Sequence, residues 1–390
     1  MKHRIAIISK NPIPYHSPLY RELASSDVCL EVLHLDSMGV EPITDEEFKI
    51  SVVWDVSLLD GYNYSFLKNY SWNEYGGFFS RLNPGLFSKI KNSKYDAILL
   101  QGYDNFSCWL ALFTAKLFNL KVIWRGEATL KSNENDSSWK GKLKKIILKQ
   151  FFGACDAVMF SCTGNKEYLL HYGVADSKMF PIPCAVDNNY FRKERKHYLG
   201  KESSIKAGLG ISENNLVILF AARFTTRKRP LDLLAAVNSI DHENITILFL
   251  GDGVEKKRME QYVTDHDIKA VFLGFKNQSE IARYYSISDV AVVISDYDPS
   301  PKAMNEAMNF ELPIIVSDVV GTARDLVKNG DNGFIVSVGD IEAIARHLNK
   351  FNFNRCLAKE MGEKSLKTIN KWTFSEDARW VKKALDFSTR

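Results

Sequence analysis

The stretch that decides the fold of this chain is Ser295–Glu306, S-D-Y-D-P-S-P-K-A-M-N-E, which continues directly into A-M-N-F-E-L-P-I-I-V-S-D. The residues that lead into it, Val290–Ser295, are apolar and β-branched, which predicts a strand buried in a parallel sheet. Ser300 is a favourable N-cap, and Pro301 suits the first helical position, where its missing N–H has no bond to lose. The stretch therefore predicts a buried strand, a tight turn, the start of a helix and then a second strand.

The predicted helix start is a candidate binding site for a diphosphate. The backbone amides of Lys302 and Ala303 would point outward beside Ser300, at the positive end of the helix dipole. Asp298 lies just before the turn, and Glu306 lies about one turn into the helix. Two carboxylates that can accept hydrogen bonds from hydroxyl groups therefore flank the anion site.

Size and composition indicate a globular protein with two domains. At 390 residues the chain exceeds the length at which single hydrophobic cores usually split. The apolar fraction of 45% and the charged fraction of 25% are ordinary for such a protein. The net charge of +4 is mild, and the sequence shows no nucleic-acid motif and no interleaving of aromatic and basic residues. Nucleic acid is therefore not an expected partner.

The sequence favours a cytoplasmic location. The chain enters an apolar strand at Arg4–Ser9 without a signal-peptide pattern, and it has no run of about 18 apolar residues that could span a bilayer. The six cysteines include no C-x-x-C pair and no spacing with histidine that is typical of metal sites. We therefore expect reduced thiols, no metal centre and a cytoplasmic protein, with attachment to the inner face of the cell membrane as an open alternative.

Short apolar strands alternate with helical patterns along the whole chain, which is typical of βαβ units and parallel sheets. In the first half the predicted strands lie near Ile5–Ile8, Cys29–Leu33, Ala97–Leu100, Lys121–Trp124, Ala157–Phe160 and Phe180–Ile182. In the second half they lie near Leu216–Ala221, Thr246–Leu250, Ala270–Leu273, Val290–Ile294, Pro313–Val316 and Gly333–Val336. Two comparable sets predict two Rossmann-like domains, over residues 1–190 and 191–371, with a last helix in residues 372–390.

The segment around Asp298 resembles the signature of the retaining family-4 glycosyltransferases, which have the GT-B fold. In that family an E-x7-E element precedes A-M-x-x-x-x-P-V/I-I and a strand, and this chain has Asp298-x7-Glu306, with aspartate in place of the first glutamate. The other matching positions are Ala307-Met308, Pro313-Ile314-Ile315, Gly321, Gly330–Val336 and Gly339-Asp340. The resemblance covers nearly the whole C-terminal half and is looser in the N-terminal half.

The resemblance implies an α/β GT-B fold, in which two Rossmann-like domains face each other across a cleft and the C-terminal helix crosses back to the N-terminal domain. It implies retaining transfer of a sugar from a UDP- or GDP-sugar to a glycan or lipid-linked acceptor, in bacterial surface polysaccharide or lipopolysaccharide synthesis. Glu306 would bind the ribose hydroxyls, and Asp298 would lie near hydroxyls of the transferred sugar. No cofactor and no metal would be required.

The loop after the first strand of the second half carries Arg223 and Lys228. Fixed positive charges in such a loop can stabilise the oxygens of a leaving diphosphate. Both residues also fall on the arginine and lysine of the family's G-R-L-x-x-x-K-G element. The resemblance further places Gly251 and Gly253 in a turn at the nucleotide and the backbone around Phe275 beside the base.

The acceptor half is expected to contribute fewer recognisable residues. The loop after the first strand contains three prolines, and such a rigid loop could shape an acceptor pocket or close over the donor phosphates. Asn11 and His16 are its candidate contacts, with simple turn chemistry as the alternative. Where relatives often have a histidine after a central strand, this chain has Arg125, and nearby Glu127 could bind acceptor hydroxyls or assist deprotonation. The resemblance implies no dedicated protein nucleophile.

The segment Trp139–Phe152 is basic and amphipathic. Its lysines are Lys140, Lys142, Lys144, Lys145 and Lys149, and its apolar residues include Leu143, Ile146, Ile147, Phe151 and Phe152. A helix of this kind can lie on an anionic membrane surface. It can also pack on its own sheet with a hydrated lysine face, and the sequence leaves both interpretations open.

Three alternative interpretations of the function remain open. Asp296-Tyr297-Asp298 spells a D-x-D, a pattern that binds a divalent metal in the other large glycosyltransferase fold. A GT-B nucleotide-sugar epimerase would use the same donor residues without an acceptor. A non-catalytic nucleotide-sugar-binding protein would retain the donor residues without turnover.

Overall fold

The chain folds into two compact α/β units. The computed structural model describes residues 3–40, 43–45, 50–52, 54–73, 76–133 and 138–389. Unit 1 comprises Met1–Ile43, Ser51–Cys184 and Phe374–Arg390, and unit 2 comprises Thr44–Ile50 and Ala185–Thr373. Each unit is built on a parallel sheet, so the expected pair of Rossmann-like folds is confirmed.

Unit 1 is organised around a seven-stranded sheet. The first nine strands of the chain are β1 (Arg4–Ser9), β2 (Cys29–His34), β3 (Ile43–Asp45), β4 (Ile50–Val52), β5 (Asn63–Phe66), β6 (Ala97–Gln101), β7 (Lys121–Gly126), β8 (Ala157–Phe160) and β9 (Met179–Pro181). The order across the sheet is β5-β2-β1-β6-β7-β8-β9, while β3 and β4 form a separate pair. The helices are α1 (Ser17–Ser25), α2 (Gly85–Lys91), α3 (Phe106–Leu117), α4 (Trp139–Ala154) and α5 (Thr163–His171). Because helices cover both faces of the central strands, those strands are almost wholly apolar.

Unit 2 is organised around a six-stranded parallel sheet. Its strands are β10 (Leu216–Ala221), β11 (Ile245–Leu250), β12 (Ala270–Gly274), β13 (Val290–Val293), β14 (Ile314–Ser317) and β15 (Gly333–Val336). Its helices are α6 (Asn188–Tyr198), α7 (Glu202–Gly208), α8 (Pro230–Asn238), α9 (Lys256–Asp265), α10 (Gln278–Ser286), α11 (Lys302–Asn309), α12 (Ala323–Leu326), α13 (Ile341–Phe353) and α14 (Arg355–Ile369).

The strand order of unit 2, β12-β11-β10-β13-β14-β15, reverses direction between β10 and β13. From β10 the chain first builds outward through β11 and β12, and it then returns to the other side of β10 at β13. In open parallel sheets, ligands bind beyond the carboxyl ends of the strands at such a reversal. A ligand site is therefore expected at the loops after β10 and β13.

The last helix, α15 (Phe374–Thr389), belongs to unit 1. It packs against α1 and against β7, β8 and β9. Its buried apolar residues are Ala378, Val381, Ala384 and Leu385, which join the core under β1 and β7. The terminal helix thus returns to the N-terminal half of the chain, as expected.

A histidine at the end of β2 makes the stability of unit 1 dependent on pH. The His34 side chain is buried and lies close to the aromatic rings of Tyr20, Tyr62, Tyr64 and Phe66. No described residue hydrogen-bonds to its ring nitrogens. Burial lowers the pKa of His34 from 6.5 to about 4. The folded chain therefore binds a proton more weakly than the unfolded chain between these two pH values.

We expect the free energy of unfolding of unit 1 to fall by at most about 3 kcal/mol as the pH drops from about 6.5 towards 4, through His34 alone. Urea unfolding followed by tryptophan fluorescence measures this change, because every tryptophan except Trp372 lies in unit 1. The variant His34→Phe should flatten the dependence. His347→Phe is the control, because burial also lowers the pKa of His347 to about 4 but in unit 2. If the free energy of unfolding of His34→Phe fell with decreasing pH as steeply as that of the wild type, the prediction would be contradicted.

Candidate active site

The loops after β10 and β13 meet at the reversal point of unit 2 through an ion pair. Lys228 ends a short 3₁₀ turn, Thr226–Lys228, and its ammonium contacts the Asp298 carboxylate. Both side chains are largely buried, with 13% and 12% of their surface exposed. Arg223, earlier in the same loop, is exposed. Two of the predicted donor-site cations thus lie in the loop after β10, and one of them contacts the predicted aspartate.

The helix start differs from the prediction by one residue. Pro301, with ψ of 112°, is extended and occupies the N-cap position, and α11 begins at Lys302 rather than at Pro301. In the turn before the helix, the Asp298 carboxylate accepts a hydrogen bond from the Ser300 amide at 3.2 Å. Ser300 does not cap the helix, and its hydroxyl accepts a hydrogen bond from the Lys302 ammonium at 3.0 Å. Lys302 and Ala303 are the first two helical residues, whose amides point out of the N-terminus.

The second carboxylate of the signature is held inside unit 2. Glu306 lies one turn into α11 and only 3% of its surface is exposed. The hydroxyl of Tyr285, from α10, donates a hydrogen bond to Glu306 Oε2 at 2.8 Å. This contact fixes one oxygen of the carboxylate before any ligand is present.

Two glycines allow the loop after β11 to lie directly on the loop that carries Arg223. A Cβ atom on Gly251 would come within 2.0 Å of the Ala222 carbonyl oxygen, and one on Gly253 within 2.4 Å of the Phe224 carbonyl oxygen. Both glycines also have positive φ, +140° and +155°. Both glycines are therefore needed for the close packing of these two loops, and their position at the nucleotide stays a prediction. Phe275 follows β12 at the same edge of the sheet and is 38% exposed.

Both carboxylates of the D-x-D contact cationic side chains. Asp296 Oδ1 accepts a hydrogen bond from Arg229 Nη1 at 2.7 Å, and Asp298 contacts Lys228. Over the described ranges, no group of three or more His, Cys, Asp or Glu side chains is arranged to hold a metal ion. The geometry around these two aspartates is that of ion pairs between neighbouring loops.

The predicted acceptor-side residues all belong to unit 1. Asn11 Nδ2 donates hydrogen bonds to the carbonyl oxygens of Met38 at 3.2 Å and Pro12 at 3.3 Å. This side chain therefore connects the loop after β1 to the segment after β2. His16 is the N-cap residue of α1 and makes no side-chain capping bond there. Glu127, just after β7, is 30% exposed, and its Oε1 lies 4.0 Å from Arg125 Nη2.

Arg125 is a charged residue in the interior of unit 1 whose surroundings the sequence did not reveal. It is 5% exposed, and its Nη2 lies 3.9 Å from Cys184 Sγ. Burial acts to lower the pKa of Arg125, but Cys184, Glu127 and Asp377 outweigh burial and raise it overall. Asp377 is contributed by α15, so the terminal helix supplies one of the charges that favour the protonated form of Arg125.

Helix α4 has one face buried in the core of unit 1 and one exposed face that carries both lysines and apolar side chains. Leu148, Phe151 and Phe152 are buried in the core of unit 1. On the outer face Trp139 is 69% exposed, and Leu143, Ile146 and Ile147 are 40–57% exposed. The five lysines of the helix are also exposed. Among the described residues, no helix is both long and apolar enough to cross a membrane.

Comparisons with known proteins agree with this architecture. Residues 201–368 match the family model "Glycosyl transferases group 1". The chain is 26% identical over 180 residues to N-acetyl-alpha-D-glucosaminyl L-malate synthase of Bacillus anthracis, a match that covers 46% of this chain and 47% of that protein. It is 28% identical over 284 residues, 70% of each chain, to UDP-Gal:alpha-D-GlcNAc-diphosphoundecaprenol alpha-1,3-galactosyltransferase of Escherichia coli.

The solved structure of Anabaena Alr3699/HepE in complex with UDP superposes with a TM-score of 0.76 at 15% identity, over 98% of this chain and 99% of that one. At this identity the likeness concerns the fold. It shows that this chain has the GT-B fold, and within that fold residues 201–368 are similar to the group 1 glycosyltransferases.

Proposed function

We propose that this chain is a retaining glycosyltransferase of family 4 that moves a hexosyl group from a nucleoside diphosphate sugar to a glycan or lipid-linked acceptor. Residues 191–371 would bind the donor and residues 1–190 the acceptor, with the helix in residues 372–390 completing the acceptor domain. The setting would be bacterial-type surface polysaccharide or lipopolysaccharide synthesis, at the cytoplasmic side of the cell membrane. The named activities of the Bacillus and Escherichia relatives support this class of reaction.

The observation that carries the proposal is the arrangement at the reversal point of unit 2. The loops after β10 and β13, together with α11, combine a buried lysine–aspartate pair, a helix N-terminus and a buried glutamate. The helix N-terminus suits phosphate oxygens, and the glutamate can accept hydrogen bonds from a diol. A nucleoside diphosphate sugar presents both groups, because its diphosphate lies between a ribose and a second sugar.

The proposed chemistry uses the protein for charge and position. The bond between the sugar C1 and the β-phosphate oxygen breaks, and a bond from the acceptor oxygen to C1 forms on the same face. The acceptor proton passes to an oxygen of the released diphosphate, so no protein nucleophile is needed. Arg223, Lys228 and the Lys302–Ala303 amides would stabilise the charge that develops on the diphosphate. Glu127 would bind acceptor hydroxyls or assist deprotonation, and Asn11 and His16 would shape the acceptor pocket or close over the donor phosphates.

Calorimetric titration with UDP, GDP and ADP, in EDTA, tests the donor site in the wild type and in Arg223→Ala. We expect one diphosphate to bind, with UDP the first choice because the Anabaena neighbour was solved with it. Arg223→Ala should weaken that binding, because it removes an exposed charge without disturbing the Asp298 pair. Absence of binding by all three would overturn the proposal. Binding that requires a divalent metal would favour the D-x-D interpretation instead.

Two other functions are separated from the proposal by product analysis. Incubation of the protein with the donor alone would convert the sugar if the chain were an epimerase. A non-catalytic binding protein would bind the nucleotide but release no diphosphate with any glycan or lipid-linked acceptor.

We also propose that the outer face of α4 contacts an anionic membrane surface. Each lysine near such a surface contributes about 1 kcal/mol. The double variant Lys142→Ser/Lys145→Ser removes two lysines that lie next to Leu143 and Ile146. It should therefore lower the partition coefficient to phosphatidylglycerol vesicles by about tenfold or more. Vesicle co-sedimentation measures the change.

The matched control for this membrane prediction is Lys91→Ser/Lys94→Ser, which removes two exposed lysines of unit 1 outside α4. Trp139→Ala should also weaken binding, because an interfacial helix inserts its apolar side chains. Equal losses in the two double-lysine variants would indicate non-specific attraction and contradict a role for α4.

A further inference from the structure

A tyrosine from a neighbouring helix holds the buried glutamate of the donor site. Tyr285 lies in the last turn of α10, is 1% exposed and donates its hydroxyl hydrogen to Glu306 Oε2 at 2.8 Å. Its ring is stacked on Phe310, with 5.4 Å between ring centroids and 23° between ring planes. The phenol is therefore fixed by packing, and its hydroxyl is directed at the carboxylate.

This hydrogen bond has two consequences for Glu306. It is buried and has an ionisable acceptor, and such bonds are among the stronger ones in proteins. It also restricts rotation of the carboxylate, so binding of a ligand does not carry the entropic cost of ordering this side chain. A neutral hydroxyl achieves this without introducing a positive charge that would neutralise the carboxylate.

We infer that Tyr285 is a positioning residue for ribose recognition: it orients Glu306 so that the carboxylate accepts hydrogen bonds from the ribose hydroxyls of a nucleoside diphosphate. The inference rests on the proposed function. Tyr285 itself does not touch the nucleotide, and its effect passes through the orientation of Glu306. Loss of its hydroxyl should therefore weaken only the part of the affinity that depends on the ribose hydroxyls.

The test compares UDP, GDP and ADP with their 2′-deoxy forms by calorimetry in the wild type and in Tyr285→Phe. The wild type should bind one ribonucleotide about tenfold or more tightly than its 2′-deoxy form, since the deoxy form leaves a buried acceptor without its donor. In Tyr285→Phe this ratio should fall about fivefold, while the affinity for the 2′-deoxy form stays close to the wild-type value. A general disturbance of the fold would lower both affinities together.

Tyr284→Phe is the matched control, because it removes the hydroxyl of the adjacent tyrosine of α10, whose ring lies near Arg283. In Tyr284→Phe, the ratio of the affinities for the ribonucleotide and its 2′-deoxy form should equal that of the wild type. If Tyr285→Phe does not fold, Tyr285→Met removes the hydroxyl with a more adaptable side chain.

Each outcome of this test is informative. Nucleotide binding with an unchanged ratio in Tyr285→Phe overturns the inference and leaves the proposed function in place. A wild type that does not distinguish the two forms of the bound nucleotide overturns the diol assignment of Glu306. A wild type that binds no nucleotide overturns the proposed function as well.

Discussion

Lys228→Ala is expected to lower the turnover of the proposed sugar transfer by about 100-fold or more, the usual cost of removing one fixed donor from a charge that develops in the transition state. The ammonium of Lys228 is held by Asp298 at the carboxyl end of β10 and is largely buried. A charge in that position needs little rearrangement when the diphosphate leaves, and its partial exclusion from water strengthens its field. Steady-state rates of diphosphate release with donor and acceptor measure the loss.

Two further variants separate this effect from a loss of folding. Lys257→Ala removes an equal charge from the exposed side of α9 and should keep the wild-type rate. Arg223→Ala acts on an exposed side chain of the same loop as Lys228 and should lower turnover in the same direction. If Lys228→Ala, with an unchanged unfolding temperature, turned over at the wild-type rate, the loop after β10 would not be part of the catalytic site.

Most of the fold could be predicted, because parallel strands that are buried on both faces consist of continuous runs of apolar residues. All six predicted strands of unit 2 overlap strands of the structure, for example β10 at Leu216–Ala221. The edge strand β5 was missed for the corresponding reason. Asn63–Phe66 is mostly exposed and alternates polar and aromatic residues, so it lacks the apolar run that marks a central strand.

At the proposed donor site, the start of α11 was predictable to within one residue, since helix starts follow local rules. The helix starts at Lys302 and not at Pro301, and the Ser300 hydroxyl accepts a hydrogen bond from the Lys302 ammonium instead of capping the helix, a contact that N-cap preferences do not include. Tyr285 was not predicted, because it looks like any buried aromatic of an amphipathic helix and its partner lies 21 residues away. Contacts of this kind depend on how two helices pack, which no local pattern specifies.

The same limit applies to the ion pair between Asp36 and Arg81. The two residues are far apart in sequence, and neither stands in a recognisable motif, yet Arg81 Nη2 lies 2.7 Å from Asp36 Oδ2. Their side chains are 2% and 5% exposed. Taking two charges out of water is costly, and the attraction between them repays that cost only while both are present.

Arg81→Met is therefore expected to lower the free energy of unfolding of unit 1 by about 3–5 kcal/mol, because it leaves the Asp36 carboxylate buried without its arginine. Asp36→Leu/Arg81→Met should recover most of this loss, since two apolar side chains can replace a buried ion pair at little cost. Denaturant unfolding followed by tryptophan fluorescence reports on unit 1, which contains every tryptophan except Trp372.

The control for the buried pair is Lys382→Ala, which breaks the exposed ion pair between α15 and Asp27 in the same unit. An exposed pair contributes about 0–1 kcal/mol, so this variant should unfold close to the wild type. The decisive quantity is the difference between the single and double variants at Asp36 and Arg81. If the double variant were as unstable as Arg81→Met, the loss would come from the packing of the arginine stem and not from the unpaired carboxylate, and the electrostatic account of this pair would be wrong.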